Sequence, residues 1–470
     1  MTLRSTSNRS SGKWAVMIGV CIATLLVGMA STITHVALPV IAHSLHAQMG
    51  AVRWVIAIYM LMITCLLIPM GRLADMYGLK AILVIGLTLF TIGSLMCGFA
   101  GEIHALIAFR ALQGIGAAMI WATNTAAIAT VFPSSEHGKA MGVLGIVVGA
   151  SLTFGPAVGG FLIAASGWSW IFFINLPLAL IAMLIIVRSL EAPASDPGAG
   201  FDFPGAVLIL GSLTALFFAL NQGPELGWRS PTILGCFGAF LILLLVLIMV
   251  EKRALHPLLD MRLFSSLSFD AANVAGLVMH TTVNGLIFMI PMLLTQILGY
   301  GPGRVGTAMA AFPVLAVMGL LSGYIADRRG ARVPCQVGMG VFAVGLLMMA
   351  HLSQFSNQAQ VITAISVAAF GAAFFMAPNV SWIMNAAPRE KHGVASGFLA
   401  TMRYLGIMTG IALATAAFSG AREQVAHAAG PAFAPISAFR FTMTCGAIIT
   451  ALGMLANLAK APVPGAKQKG

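Results

Sequence analysis

Charge is what this chain has least of. Aspartate and glutamate supply 13 of its 470 residues, and all charged types together only 8%, against roughly 25% in a soluble domain. That scarcity excludes a water-soluble globular protein. Tyrosine is rare as well, with five residues, and the six cysteines (Cys21, Cys65, Cys97, Cys236, Cys335 and Cys445) stand singly inside apolar runs. Their spacing fits neither a metal site nor a disulfide framework, so they read as small packing residues. Also missing are a phosphate-binding Gly-Lys-Ser/Thr loop, a cluster of metal ligands and a nucleophile paired with a base. Neither covalent catalysis nor an ATP-driven step is expected, and no cofactor or metal.

What is present is apolar. Hydrophobic residues make up 59% of the chain and the mean hydropathy is +0.96. Apolar runs of the length that crosses a bilayer, about 20 residues, recur at 14–41, 52–70, 81–100, 104–131, 140–164, 169–188, 204–222, 231–250, 270–298, 305–325, 335–352, 360–386, 394–419 and 440–459. The expectation is an all-α integral membrane protein with fourteen transmembrane helices. The first run follows Arg4, Arg9 and Lys13 in the manner of a signal peptide. Its length and the lack of a small-x-small cleavage site make it a retained helix instead.

The net charge of +12 would suit nucleic acid, but its placement points elsewhere. With fourteen spans, eighteen of the 25 Lys and Arg residues fall on one side and five on the other, leaving Arg110 and Arg403 within spans. Such sorting is the positive-inside pattern. It predicts cytoplasmic N- and C-termini, a multi-pass protein of the plasma (inner) membrane with the lipid bilayer as its partner, and no nucleic-acid partner.

Two loops nearly repeat. "GRLADMYG" from Gly71 and "GYIADRRG" from Gly323 share G-x-L/I-A-D-x-x-G at an offset of 252, and "HGKAMG" from His137 recurs as "HGVASG" from His392 at 255. The chain therefore reads as a six-helix half over 1–188, a linker with two inserted helices over 189–269, and a second half over 270–470. Parallel halves of this kind are a transporter architecture with the substrate site between them.

"GRLADMYGLK", "RALQGIGAA" from Arg110 and "GASLTFGPAVGG" over 149–160 resemble the loop, helix-4 and helix-5 motifs of the major facilitator superfamily. "GWSWIFFINLP" and "HPLLDMRLF" are similar to its fourteen-helix drug:proton antiporter branch. The resemblance implies a multidrug-type efflux antiporter that works as a monomer by alternating access, driven by a proton gradient. It assigns Gly71, Arg72, Asp75, Gly78, Lys80, Asp327, Arg328 and Arg329 to a cytoplasmic gate. In the first loop, Gly71 and Gly78 would permit a tight reversal and Asp75 would cap a helix between Arg72 and Lys80. Gly149, Gly155, Pro156, Gly159 and Gly160 form the antiporter motif, with Pro156 breaking and bending its helix. Arg110, Gln113, Asn124 and Arg403 are assigned to the central cavity.

The thirteen acids all fall in loops or at helix edges, Asp270 reading as an N-terminal cap. Against the family's helix-1 pattern, "MASTITHVALP" has Ala30 at the acidic position and His35 further along. A buried cation needs an opposite charge. His35, His280, Arg110 and Arg403 supply none, so a neutral or anionic substrate is expected. Imidazole titrates near neutral pH, which makes His35 the leading proton carrier; a neutral hydrogen-bonding role is the rival. Trp121, Phe288, Met289, Phe374, Phe375 and Met376 are candidates for an adaptable pocket. Two alternatives stand beside antiport: an uncoupled facilitator of a small metabolite, and a non-transporting membrane sensor or scaffold.

Overall fold

The computed structural model describes residues 4–459 except 134–135, 192–199, 254–257, 259–265, 301, 310–316, 389–390 and 430–432; side chains are also not described at 4–11, 49–50, 152–153, 156–157, 225, 302–303, 306, 427–429 and 456–459. Among the described residues the regular structure is helical. Sixteen α-helices follow in order: α1 Arg4–Ser44, α2 Met49–Tyr77, α3 Leu79–Gly98, α4 Ile103–Val131, α5 His137–Ser166, α6 Trp170–Phe173, α7 Asn175–Ser189, α8 Phe203–Leu226, α9 Pro231–Glu251, α10 Leu267–Met292, α11 Pro302–Met309, α12 Met318–Arg329, α13 Arg332–Ala350, α14 Gln358–Ala386, α15 His392–Ala429 and α16 Ala434–Ala459. Lipid offers the backbone no hydrogen bonds, so an apolar chain of this composition satisfies its own by coiling. Twelve described stretches are long and apolar enough to cross a bilayer. The expected spans at 140–164 and 305–325 are only partly described and stand outside that number, as does most of "HPLLDMRLF".

Local chemistry sets the breaks. Pro177 clashes with the carbonyl four residues before it, Phe173, where α6 ends, so the sixth expected span is a single turn followed by α7. Ser266, not Asp270, caps α10: its Oγ accepts the Phe269 N–H at 3.4 Å, and Asp270 lies inside the first turn facing the helix dipole. α15 runs to Ala429, carrying Arg422 and Glu423 within a helix where a loop was expected. Gly78 and Gly330 end α2 and α12 with φ of 92° and 87°, a backbone region that favours glycine. They sit at equivalent places in the two repeated loops.

The chain packs as two compact units. The first holds Met1–Phe217, Phe237–Asp260 and Ala387–Thr401; the second holds Phe218–Cys236, Met261–Ala386 and Met402–Gly470. Part of the first unit's core is Ile33, Ala37, Val55, Cys97, Leu106 and Phe172. That of the second gathers Met279, Leu286, Met339, Phe342, Phe375 and Phe439.

Glycines allow the close helix approaches that membrane packing relies on. In the first unit a Cβ on Gly86 would reach 2.7 Å from Met119 Cβ, and one on Gly93 2.7 Å from the Gln113 nitrogen, so α3 rides directly on α4. In the second, Gly338 and Gly345 of α13 meet Phe375 and Ala368 of α14 at 2.8 and 2.5 Å in the same way. These glycines are 252 residues apart, the offset of the loops. The repeat thus extends into the packing of the helices.

The candidate pocket residues divide between the two units. Met289 and Phe375 are enclosed in the second unit's core, Phe288 is 46% exposed, and Trp121 lies buried in the first unit. Neighbours on a helix point about 100° apart, so Met289 enters the core while Phe288 faces outward.

Candidate functional site

Asp75 sits in the last turn of α2, and its carboxylate meets the start of α15. Oδ1 accepts the Gly393 N–H at 2.7 Å and Oδ2 the Val394 N–H at 2.9 Å. The first amides of a helix lack intrahelical acceptors and carry the positive end of its dipole, so an acid from another helix both caps and attracts this terminus. Close approach makes the contact possible. A Cβ on Gly71 would lie 2.5 Å from the Gly393 carbonyl oxygen, and one on Gly397 2.5 Å from that of Leu67.

Several expectations for the loop change here. Gly71 is helical and serves contact with α15; only Gly78 supplies the reversal. Lys80 does not hold Asp75, for its Nζ donates to the Val187 carbonyl at 2.7 Å. Arg72 lies within electrostatic reach of Asp75, as does Lys391, while its Nη2 donates to the Gly200 carbonyl at 3.3 Å. In the second loop Arg328 and Arg329 are exposed, the Arg328 guanidinium lies 4.4 Å from the Tyr324 ring centroid, and Asp327 is half-buried.

Arg110 is fully enclosed in the first unit. Its Nε donates to the Val55 carbonyl at 3.0 Å, its Nη1 to Gln113 Oε1 at 2.7 Å, and the guanidinium lies 4.0 Å from the Tyr59 ring centroid. Gln113 Nε2 passes the chain on to Ser94 Oγ at 3.1 Å, which also receives the Asn175 amide at 2.9 Å and donates to the Phe172 carbonyl. Four helices and the turn α6 are tied together. Nη2 has no hydrogen-bond partner among the described residues. A guanidinium stays charged in a protein, so here its charge is held by carbonyl, amide and ring faces.

His35 lies on an exposed face of α1 with Val36, Pro39 and Val40, and Arg110 is the charged group within its electrostatic reach. Ala30 is 2% exposed. Asn124 belongs to a separate contact, its Nδ2 donating to Thr24 Oγ1 at 2.8 Å. In the second unit His280 and Arg403 are half-buried and lie within electrostatic reach of each other.

α5 runs unbroken through its motif, contrary to the expected break; the Pro156 side chain is outside the described residues. Packing on α1 holds the helix through that stretch. Gly155 meets Thr32, a Cβ on Gly159 would lie 2.6 Å from Ile33 Cγ1, and Thr32 Oγ1 reaches the Ser151 carbonyl at 3.3 Å. Gly160 has open space beside it. The second unit has a like contact at Gly410, 255 residues after Gly155, which packs against Thr281; Gly406, one turn earlier, lies against His280.

A family model described as Major Facilitator Superfamily matches residues 20–411. The chain belongs to that superfamily. It is 30% identical over 409 residues to the riboflavin transporter RibZ of Clostridioides difficile (strain 630), covering 87% of this chain and 88% of the other. With the multidrug resistance protein Stp of Mycobacterium tuberculosis (strain CDC 1551 / Oshkosh) it shares 29% over 399 residues, 84% of this chain and 74% of the other. Among solved structures, that of the human organic anion transporter MFSD10 (TETRAN) overlays with a TM-score of 0.65 at 14% identity, covering 96% and 99% of the two chains. That last likeness shows the fold. The protein is thus a multi-pass membrane transporter of the superfamily and not an enzyme.

Within that fold, the sequence reading missed Ser94, Asn175 and Tyr59. Asn175 left a trace: it is an amide in an otherwise apolar string, two residues before a proline, where an unpaired polar group would be costly. Ser94 and Tyr59 left none, because their role depends on partners from other helices.

Proposed function

We propose that the protein is a secondary efflux carrier that exchanges protons for a neutral or anionic small organic molecule by alternating access. In this reading it has fourteen transmembrane helices, with halves at 1–188 and 270–470 and the inserted pair at 189–269. It acts as a monomer in the cell membrane with both termini cytoplasmic. Two observations support the proposal, one in each unit: Arg110 is enclosed with His35 in its field, and His280 lies within electrostatic reach of Arg403. Such groups repel a lipophilic cation and favour a neutral or negative one. Relatives named for riboflavin transport and multidrug resistance support a small organic substrate.

Asp75 on the α15 terminus serves as the cytoplasmic latch, with Asp327, Arg328 and Arg329 as its counterpart in the second half. His35 carries the proton, because imidazole titrates near neutral pH and its ring lies on an exposed face of α1 while His280 is half-buried. Ala30, enclosed where the family pattern has an acid, favours a second reading: an uncoupled facilitator with His35 as a neutral hydrogen-bonding group.

Reconstitution into liposomes with an imposed pH gradient tests the proposal. Flux of uncharged or anionic dyes that consumes the gradient is expected, together with little movement of ethidium. Robust ethidium efflux that dissipates the gradient overturns the substrate assignment. His35→Gln is expected to flatten the pH dependence of transport; an unchanged profile removes the shuttle role and leaves the facilitator.

A further inference from the structure

The inserted pair α8–α9 carries a polar feature that transport, as described above, does not use. Just before α8, Asp202 Oδ1 accepts the Gly205 N–H at 2.9 Å as the helix cap, while Oδ2 has no hydrogen-bond partner among the described residues although Asp202 is only 9% exposed. Glu251, at the end of α9, directs a second carboxylate oxygen to the same spot. A Cβ on Gly205 would lie 2.5 Å from Asp202 Oδ2 and 2.9 Å from Glu251 Oε1. A carboxylate oxygen enclosed without a donor is costly, so the position favours a ligand that brings N–H groups and positive charge.

Asp202 lines a groove of about 360 Å³ together with Pro204, Val246, Met249, Val250 and Arg253, room for about a dozen waters. Val246, Val250 and Arg253 follow one another at i, i+4 and i+7 and so share a face of the helix line. The charged pair lies at one end of the hairpin, because Asp202 immediately precedes α8 and Arg253 directly follows α9. The walls beyond it are apolar. α9 is also the least enclosed of the twelve described spans, with 11% of its apolar window buried, so this groove opens toward lipid.

The geometry points to a binding site for a phospholipid whose headgroup ends in a primary amine, of the phosphatidylethanolamine class. The ammonium donates to Asp202 Oδ2, the phosphate pairs with the exposed Arg253 guanidinium, and an acyl chain lies along Val246, Met249 and Val250. A choline headgroup carries the same charge but no N–H donor, so it leaves Oδ2 unpaired. An anionic headgroup brings no cation to the Asp202 carboxylate. The site is independent of which leaflet the hairpin end faces, and its test does not depend on transport.

Native mass spectrometry of the purified full-length chain, in micelles doped equally with phosphatidylethanolamine, phosphatidylcholine and phosphatidylglycerol, reads the retained lipid directly. The ethanolamine lipid is expected to be retained about tenfold over the choline lipid, the effect of one charge-assisted hydrogen bond. Asp202→Asn keeps a capping oxygen but presents an amide to the ammonium, and should bring that ratio close to one. Arg253→Gln, at an exposed position, should lower retention of both lipids and leave their ratio unchanged. Equal retention of the two by the parent chain, preference for phosphatidylglycerol, or an ethanolamine preference that Asp202→Asn does not move overturns the assignment. Unchanged retention of both lipids by Arg253→Gln overturns it on its own, should the Asp202 variant fail to fold.

Discussion

Arg110 shows how a charged residue can be housed in a membrane helix without an acid. Its cost at the bilayer centre, about 2.5–3.5 kcal/mol on insertion scales, is offset by the Val55 carbonyl, the Gln113 amide oxygen and the Tyr59 ring. A lysine has one ammonium and cannot serve all three. Arg110→Lys is therefore expected to destabilise the protein by about 2 kcal/mol, read as a lower thermal midpoint in detergent, and to reduce flux with it. Tyr59→Leu should cost about 1 kcal/mol through the lost ring contact and hydroxyl. A lysine variant as stable as the parent would mean that these contacts do not hold the helices. The residue itself was legible in the sequence, as a lone base inside an apolar span. Gln113 on the same helix was legible too, but Val55 and Tyr59 were not, since they come from another helix and look ordinary in its string.

At the scale of elements, the helices fit through glycine. α5 seats Gly155 and Gly159 on Thr32 and Ile33 of α1, whereas Gly160 faces open space. Substitution should separate these positions. Gly155→Leu overpacks the contact and should cost about 1–3 kcal/mol, while Gly160→Ala should stay within about 0.5 kcal/mol of the parent. Thermal midpoints of the purified variants check both; equal losses would show that the α1–α5 contact is not the reason for the glycines. The motif was visible in the sequence, but the expected break at Pro156 was not what formed. α5 runs on as one helix, supported over a long contact that a linear string does not display. The breaks that do form, at Phe173 before Pro177 and at Gly78 and Gly330, follow from local rules.

For the whole molecule, the contact of Asp75 with the start of α15 joins residues 318 and 319 positions apart. Asp75→Asn removes the charge facing the helix terminus and one of two acceptors, a loss of about 1–2 kcal/mol. Hydrogen exchange of the Gly393 and Val394 amides should then quicken about tenfold, with Asp327→Asn leaving them as in the parent. Unaltered exchange in Asp75→Asn would remove the latch from the proposal. Topology is checked separately: in sealed right-side-out vesicles, tags on both termini should be shielded from protease.

The membrane class and the two-fold repeat were written in the sequence, because hydropathy and offset are properties of the string read against a bilayer. The tertiary structure alone decided which glycines turn the chain and which admit a neighbour, and where the guanidinium of Arg110 finds its acceptors. It also placed the Asp75 carboxylate on a helix that begins more than three hundred residues later. Those outcomes depend on side chains meeting across helices, and a helix buries whichever face its neighbours leave it.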